Sequence, residues 1–146
     1  MAMQHLSACG KKVRGLETIL LVEDDGTLRK IIASTLQSNG YAVLEAGEAL
    51  TAINICVRYT EPIDAIVTDV GLPHMSGPAL CASVLTLRPD MRTLFISGAV
   101  GEALLFHDMV KPGINLLKKP FTPDALLHAL RATMDGLPIV DYMMTS

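Results

Sequence analysis

Three polar signals in this 146-residue chain stand where β-rich apolar runs give way to turns. Glu23-Asp24-Asp25 follows the run 18–22, Asp69 follows the run 63–68, and Lys119-Pro120 follows the run 114–117. Ser97 closes a fourth run, 93–96. Carboxylates gathered in one place oppose folding: two like charges about 4 Å apart repel by roughly 4 kcal/mol at an effective dielectric of about 20. A hard dication offsets that repulsion. Mg2+ takes oxygen ligands, keeps several waters, and is held by one or two carboxylates together with a phosphate. Asp24 and Asp69 are the candidate direct ligands, Glu23 reaches the ion mainly through water, and the backbone at Gly71 can offer a carbonyl. Asp69 has a second role open to it, because a carboxylate can attack phosphorus and form an aspartyl phosphate. Such transfer depends on positioning and on neutralising the phosphoryl oxygens. Lys119 can serve as a point charge for one oxygen and the Ser97 hydroxyl can donate to another.

Taken singly these residues say little. An Asp at a strand end is most often a helix cap or a solvated group, Lys119 alone reads as a surface lysine, and Ser97 alone reads as a turn residue. The force lies in their conjunction at successive strand ends. Asp25 is better read as a helix cap, and His74 as an exposed turn residue. His5, His107 and His128 have no metal-ligand spacing.

The elements that must bring these groups together alternate along the chain. After a polar arm, 1–15, the run 18–22 leads through Asp25 into a helix with Leu28, Ile31, Ile32 and Leu36 on its apolar stripe, stopped by Asn39-Gly40. A short strand at 41–44 precedes a helix with Ala49, Ala52, Ile53, Cys56 and Val57 at buried spacing. Glu61-Pro62 ends it before the central run. Ser76 caps a helix carrying Leu80, Val84 and Leu87, which ends near Arg88-Pro89. A weaker helix is expected at about 101–110, and Thr122 caps a last helix opened by Pro123, with Leu126, Leu127, Leu130 and Met134 inward. Continuous apolar strands between amphipathic helices predict a parallel sheet covered on both faces. The expected fold is α/β, a flavodoxin-like (βα)5 three-layer sandwich with strand order 2-1-3-4-5, and its ligands sit at the carboxyl ends of strands 1 and 3. The domain is expected over 16–135, with a tail at 136–146.

Composition sets outer limits. A chain of this length suits one domain that buries roughly 68–70% of its unfolded surface. Half the residues are hydrophobic and the net charge is −3, which gives no sign of direct nucleic-acid binding. Three cysteines, Cys9, Cys56 and Cys81, form no CxxC pair, so a reducing, cytoplasmic setting is expected, with Cys56 and Cys81 buried as small hydrophobes. No apolar stretch reaches the roughly 18 residues of a membrane span.

With these residues in place, the chain resembles the receiver domains of two-component response regulators. The matching segments are Ile19-Leu20-Leu21-Val22-Glu23-Asp24-Asp25, Val67-Thr68-Asp69-Val70-Gly71-Leu72-Pro73 with Met75-Ser76-Gly77, Phe95-Ile96-Ser97-Gly98 and Leu117-Lys118-Lys119-Pro120-Phe121. Thr122-Pro123-Asp124-Ala125-Leu126-Leu127 is similar to receivers attached to hybrid sensor histidine kinases. The resemblance implies that Asp69 accepts a phosphoryl group from a histidine kinase or phosphotransfer protein. It further implies Mg2+ at Glu23, Asp24 and Asp69, contacts from Ser97 and Lys119 to the phosphoryl group, and a Lys119–Pro120 bond that is often cis. The protein is then no enzyme beyond its own phosphorylation and dephosphorylation.

Two departures from that pattern stand out. Leu116 occupies the position, three before the lysine, where family members carry Tyr or Phe. Gly71 and Ala99 occupy positions that tune phosphate lifetime, and neither can shield or orient a water, so the lifetime is expected to depend on Mg2+ and open solvent access. Output is expected through protein contact, with the apolar group Ala103, Leu104, Leu105, Phe106, Met109 and Val110 as a candidate partner or homodimer face between the fourth and fifth helices. A pseudo-receiver scaffold and a small-molecule enzyme on the same fold remain as alternatives. The acids after strand 1 speak against a flavin-type phosphate loop, and Gly71 stands where a hydrolase of the phosphoaspartate class carries a second acid.

Overall fold

The computed structural model describes residues 16–98 and 114–138. The expected arm at 1–15, the helix at 101–110 with its apolar face, Ala99, Cys9, His5, His107 and the end of the tail lie outside the described residues. Five strands form one sheet: β1 (Thr18–Val22), β2 (Ala42–Ala46), β3 (Ala65–Asp69), β4 (Arg92–Ser97) and β5 (Ile114–Lys118). All neighbours are parallel and the order is β2-β1-β3-β4-β5, as the pattern of the chain predicts. Four helices connect or flank them among the described residues: α1 (Gly26–Ser38), α2 (Ala49–Arg58), α3 (Gly77–Leu87) and α4 (Pro123–Met134).

Strand side chains alternate between the sheet faces, and both faces are buried. Ile19, Leu21, Val67, Leu94, Ile96 and Leu117 point to one side, where Ile32, Ala33 and Leu36 of α1 and Leu126, Ala129 and Leu130 of α4 cover them. Leu20, Val22, Ile66, Phe95 and Leu116 point to the other, under Ala49, Ala52 and Cys56 of α2 and Leu80, Cys81 and Val84 of α3. This is the three-layer sandwich. Burial pushes the Cys81 thiol up to about 12 and raises that of Cys56, so both behave as small core hydrophobes.

Local chemistry sets the helix ends. Asp25 accepts from the Thr27 and Leu28 amides, Ser76 from Ala79 N and Thr122 from Ala125 N. Gly40, at φ 93°, ends the turn after α1 in a backbone region that suits glycine. The strands differ slightly from expectation. β2 runs to Ala46 because it pairs with β1 along its full length, while Tyr41 N instead closes α1 on Leu36 O. β3 begins at Ala65 and includes Asp69, whose neighbour Val70 donates to Ile96 O.

Three positions on the expected apolar stripes are exposed, Leu87 at 49% among them. Ile31 is 58% exposed and Val57 is 63% exposed. Helical period tells which side faces the sheet, but not how far the neighbouring helix extends over it. Ile31 borders a groove of about 310 Å3 with Leu28, Thr35, Lys119, Pro120 and Phe121.

Arg88 ties the loop before β3 to the end of α3. It donates from Nε to Cys56 O (3.1 Å), from Nη1 to Glu61 O (2.9 Å) and from Nη2 to Tyr59 O. One planar fork thereby satisfies the Cys56 and Tyr59 carbonyls at the C-terminus of α2 and the Glu61 carbonyl in the loop beyond it. Arg88→Ala is expected to lower stability by about 1.5–3 kcal/mol, the range for a charged hydrogen-bonding group, read by urea denaturation.

Candidate functional site

β1 and β3 lie side by side at the centre of the sheet, so their carboxyl ends bring Glu23, Asp24 and Asp69 to one edge. One carboxylate oxygen from each lies within 4.8 Å of the others. Glu23 and Asp69 are buried, whereas Asp24 is exposed. Lys119 reaches in from the end of β5: its Nζ stands 3.0 Å from Asp69 Oδ1 and 3.4 Å from Glu23 Oε1. The Lys119–Pro120 bond is cis. Ser97 is buried at the end of β4, and its carbonyl accepts from Lys119 N at 2.8 Å. The structure thus gathers Glu23, Asp24, Asp69 and Lys119 directly and sets Ser97 on the adjoining strand end. Gly71 is exposed in the loop after β3, two residues beyond Asp69. Asp25 caps α1 as expected, and His74 is exposed with φ 70°.

The electrostatics are those of an acid site short of positive charge. Burial, followed by a hydrogen bond with Glu23, pushes Asp69 up to about 8, against the lowering pull of Lys119. Burial alone would depress the Lys119 ammonium, but Asp69 and Glu23 outweigh it and hold its pKa above the ordinary lysine value. Glu23 Oε2 accepts from Asp25 N at 3.1 Å, while Glu23 Oε1 is buried with no hydrogen bond. A buried Glu23 oxygen whose near neighbour is the Lys119 ammonium, with carboxylate oxygens of Asp24 and Asp69 within 4.8 Å, is a donor set that fits a hard dication.

The protonation of Asp69 has a sign that can be tested. Its folded pKa of about 8 exceeds the ordinary carboxylate value of 3.8, so the native state holds more protons than the unfolded chain between those limits. The associated stability is complete at the acidic limit and is lost as pH rises toward 8. With a chelator present, urea denaturation is expected to show falling stability from pH 5 to pH 8, and Asp69→Asn is expected to flatten that slope. Added Mg2+ is expected to stabilise more at pH 8 than at pH 5, because protons compete for the same oxygens.

Two parts of the site were not anticipated from the sequence. Arg29 donates from Nη1 to Glu23 O at 2.8 Å, a contact between α1 and the end of β1 that no local motif signals. Gly77, seen only as part of a turn-rich motif, packs α3 against the chain at Asp69: a Cβ there would lie 2.1 Å from Asp69 O. Leu116 is buried among the α2 and α3 side chains, in register with Phe95, so no aromatic gate stands at that position.

Comparison with known proteins agrees with this geometry. The family model described as the response regulator receiver domain matches residues 19–131. The chain is 31% identical over 121 residues to the sensor kinase CckA of Brucella abortus, covering 83% of this chain but 13% of that protein. It is 29% identical over 106 residues to the response regulator receiver protein CpdR of the same organism, covering 73% of this chain and 87% of CpdR. The crystal structure of a response regulator receiver protein from Sinorhizobium medicae superposes with a TM-score of 0.73 at 28% identity, covering 82% and 94% of the two chains. No helix among the described residues is long and apolar enough to cross a membrane. The strand order, the sheet-edge acids and the family match over most of its length place this chain among the response regulator receiver domains, the signalling modules of two-component systems.

Proposed function

We propose that this receiver accepts a phosphoryl group on Asp69 from a phosphohistidine of a histidine kinase or phosphotransfer protein. A carboxylate oxygen of Asp69 attacks phosphorus, the P–O bond forms as the P–N bond breaks, and the imidazole leaves with the electron pair. Lys119, 3.0 Å from Asp69, is placed to neutralise a phosphoryl oxygen, and the Ser97 hydroxyl to donate to another. Glu23, Asp24 and Asp69, with the Gly71 carbonyl, are the proposed holders of Mg2+. When bound, the ion would supply the positive charge that lets both the acids and the phosphoryl oxygens stay ionised. The domain is assigned to 16–135. Residence in the cytoplasm accords with a histidine kinase or phosphotransfer protein as donor.

The single observation that carries this reading is the Lys119–Asp69 pair set among three carboxylates at the β1/β3 edge. Incubation with Mg2+ and acetyl phosphate, followed by intact mass measurement, is expected to add one phosphoryl group to the parent chain and none to Asp69→Ala. With Gly71 exposed beside the site, the acyl phosphate is expected to hydrolyse readily in Mg2+ at neutral pH. A half-life of many hours would contradict open water access. A scaffold that binds a partner without phosphorylation is the alternative, resting on Leu116 alone, buried where an aromatic residue is usual. An unmodified mass on the parent chain would select it.

A further inference from the structure

We propose that Arg29 is a positioning residue for the acid site, acting through the backbone between Glu23 and Asp24. The proposal rests on the reading that Glu23, Asp24 and Asp69 hold Mg2+. Arg29 Nη1 donates to Glu23 O at 2.8 Å. That carbonyl belongs to the rigid peptide plane whose other end carries the nitrogen and Cα of Asp24. Holding the oxygen therefore restrains the peptide plane from which both acidic residues extend. The same guanidinium donates from Nε to Glu45 Oε1 at 3.3 Å, on β2, the strand paired with β1. Glu45 also pairs with Lys30 at 3.4 Å.

The chain makes room for this fork. A Cβ at Gly47 would lie 3.1 Å from Arg29 Nη1, tighter than an ordinary van der Waals contact. The guanidinium is thus held between the Glu23 carbonyl, the Glu45 carboxylate and the Gly47 backbone, with its side chain 22% exposed. Glu23 N donates to Ala46 O at 3.1 Å, so the acid loop is tethered to the end of β2 by the main chain as well as by the arginine. A lysine carries its donors on one nitrogen and cannot reproduce the two-nitrogen span of Nε to Glu45 and Nη1 to Glu23 O. Groups that orient metal ligands without touching the ion typically govern affinity by 10–100-fold.

The test is calorimetric titration of Mg2+ into the full chain. Arg29→Gln is expected to weaken binding about tenfold, the lower end of that range, and Arg29→Lys to weaken it in the same direction, because one ammonium replaces the two arms of the fork. Arg88→Ala, which loses a partly buried clamp away from the site, is expected to lower Tm and leave Mg2+ affinity at the parent value. Parent-like affinity in folded Arg29→Gln overturns the proposal, as does an equal weakening in Arg88→Ala. If Arg29→Gln fails to give a folded circular dichroism spectrum, parent-like affinity in Arg29→Lys overturns it. A parent chain that binds no Mg2+ at millimolar concentration defeats the metal reading itself, an outcome distinct from loss of the arginine's role.

Discussion

Gly77→Ala is expected to cost roughly 3 kcal/mol or more, at or beyond the top of the usual range for overpacking. A Cβ at this position would lie 2.1 Å from Asp69 O and 3.1 Å from Val70 Cα. Both neighbours are backbone, so no side chain can turn aside to relieve the overlap. The close approach is held by Gly77 N donating to Val70 O at 2.7 Å, which seats the first turn of α3 on the end of β3. Moving α3 outward would open the packing of Leu80 and Val84 against Ile66 and Phe95. Moving the β3 end would displace Asp69 itself. The variant is therefore expected to lose both stability, measured by urea denaturation, and Mg2+ affinity. Gly26→Ala is the contrast: its Cβ would lie 3.8 Å from Arg29 Nη2, an ordinary contact, and little change is expected.

Lys119→Ala is expected to separate metal binding from phosphoryl transfer. Removing one preorganised charge from a reacting site typically slows reaction by about 10²–10³-fold, and phosphorylation by acetyl phosphate is expected to slow by that order. Mg2+ affinity is expected to hold or rise, because the ammonium that now sits 3.0 Å from Asp69 and 3.4 Å from Glu23 repels the ion. The pH dependence should move in a defined direction. Lys119 lowers the Asp69 pKa, so its removal raises that pKa further and carries the loss of dication-free stability to higher pH. Rates from intact mass and affinities from calorimetry check the two halves independently. Equal losses in both would show that Lys119 supports the fold of the site rather than the transferring group.

The contrast between local and distant determinants runs through the whole molecule. Asp25, Ser76 and Thr122 cap helices where their positions predict, because a cap bonds to an amide two or three residues on and needs nothing else. The five strands were legible as apolar runs bounded by turn residues. Once alternation with helices implied a parallel sheet, right-handed crossovers left few orders, and the acids of β1 and β3 had to meet. The polar groups that could do chemistry were therefore readable from residue type and place in the chain.

Other features depended on which side chains meet across the fold. Glu17 and Arg131 pair at 2.8 Å from opposite ends of the domain, and Asn115 donates to Thr133 and to Leu137 O, linking β5 to the end of α4. The reach of Arg29 to the Glu23 carbonyl and of Arg88 to three carbonyls follows from strand register and helix placement, which no local pattern encodes. The exposure of Ile31 and Val57 depends on where a neighbouring helix stops. The raised pKa of Asp69 depends on burial beside Glu23, a residue far from it along the chain. Residue order determined the elements and the chemical groups at their ends, since those follow from short-range bonding and periodicity. Tertiary packing alone decided how near those groups come, how dry they are and which protons they keep, since charge interaction depends on distance and on solvent excluded by distant parts of the chain.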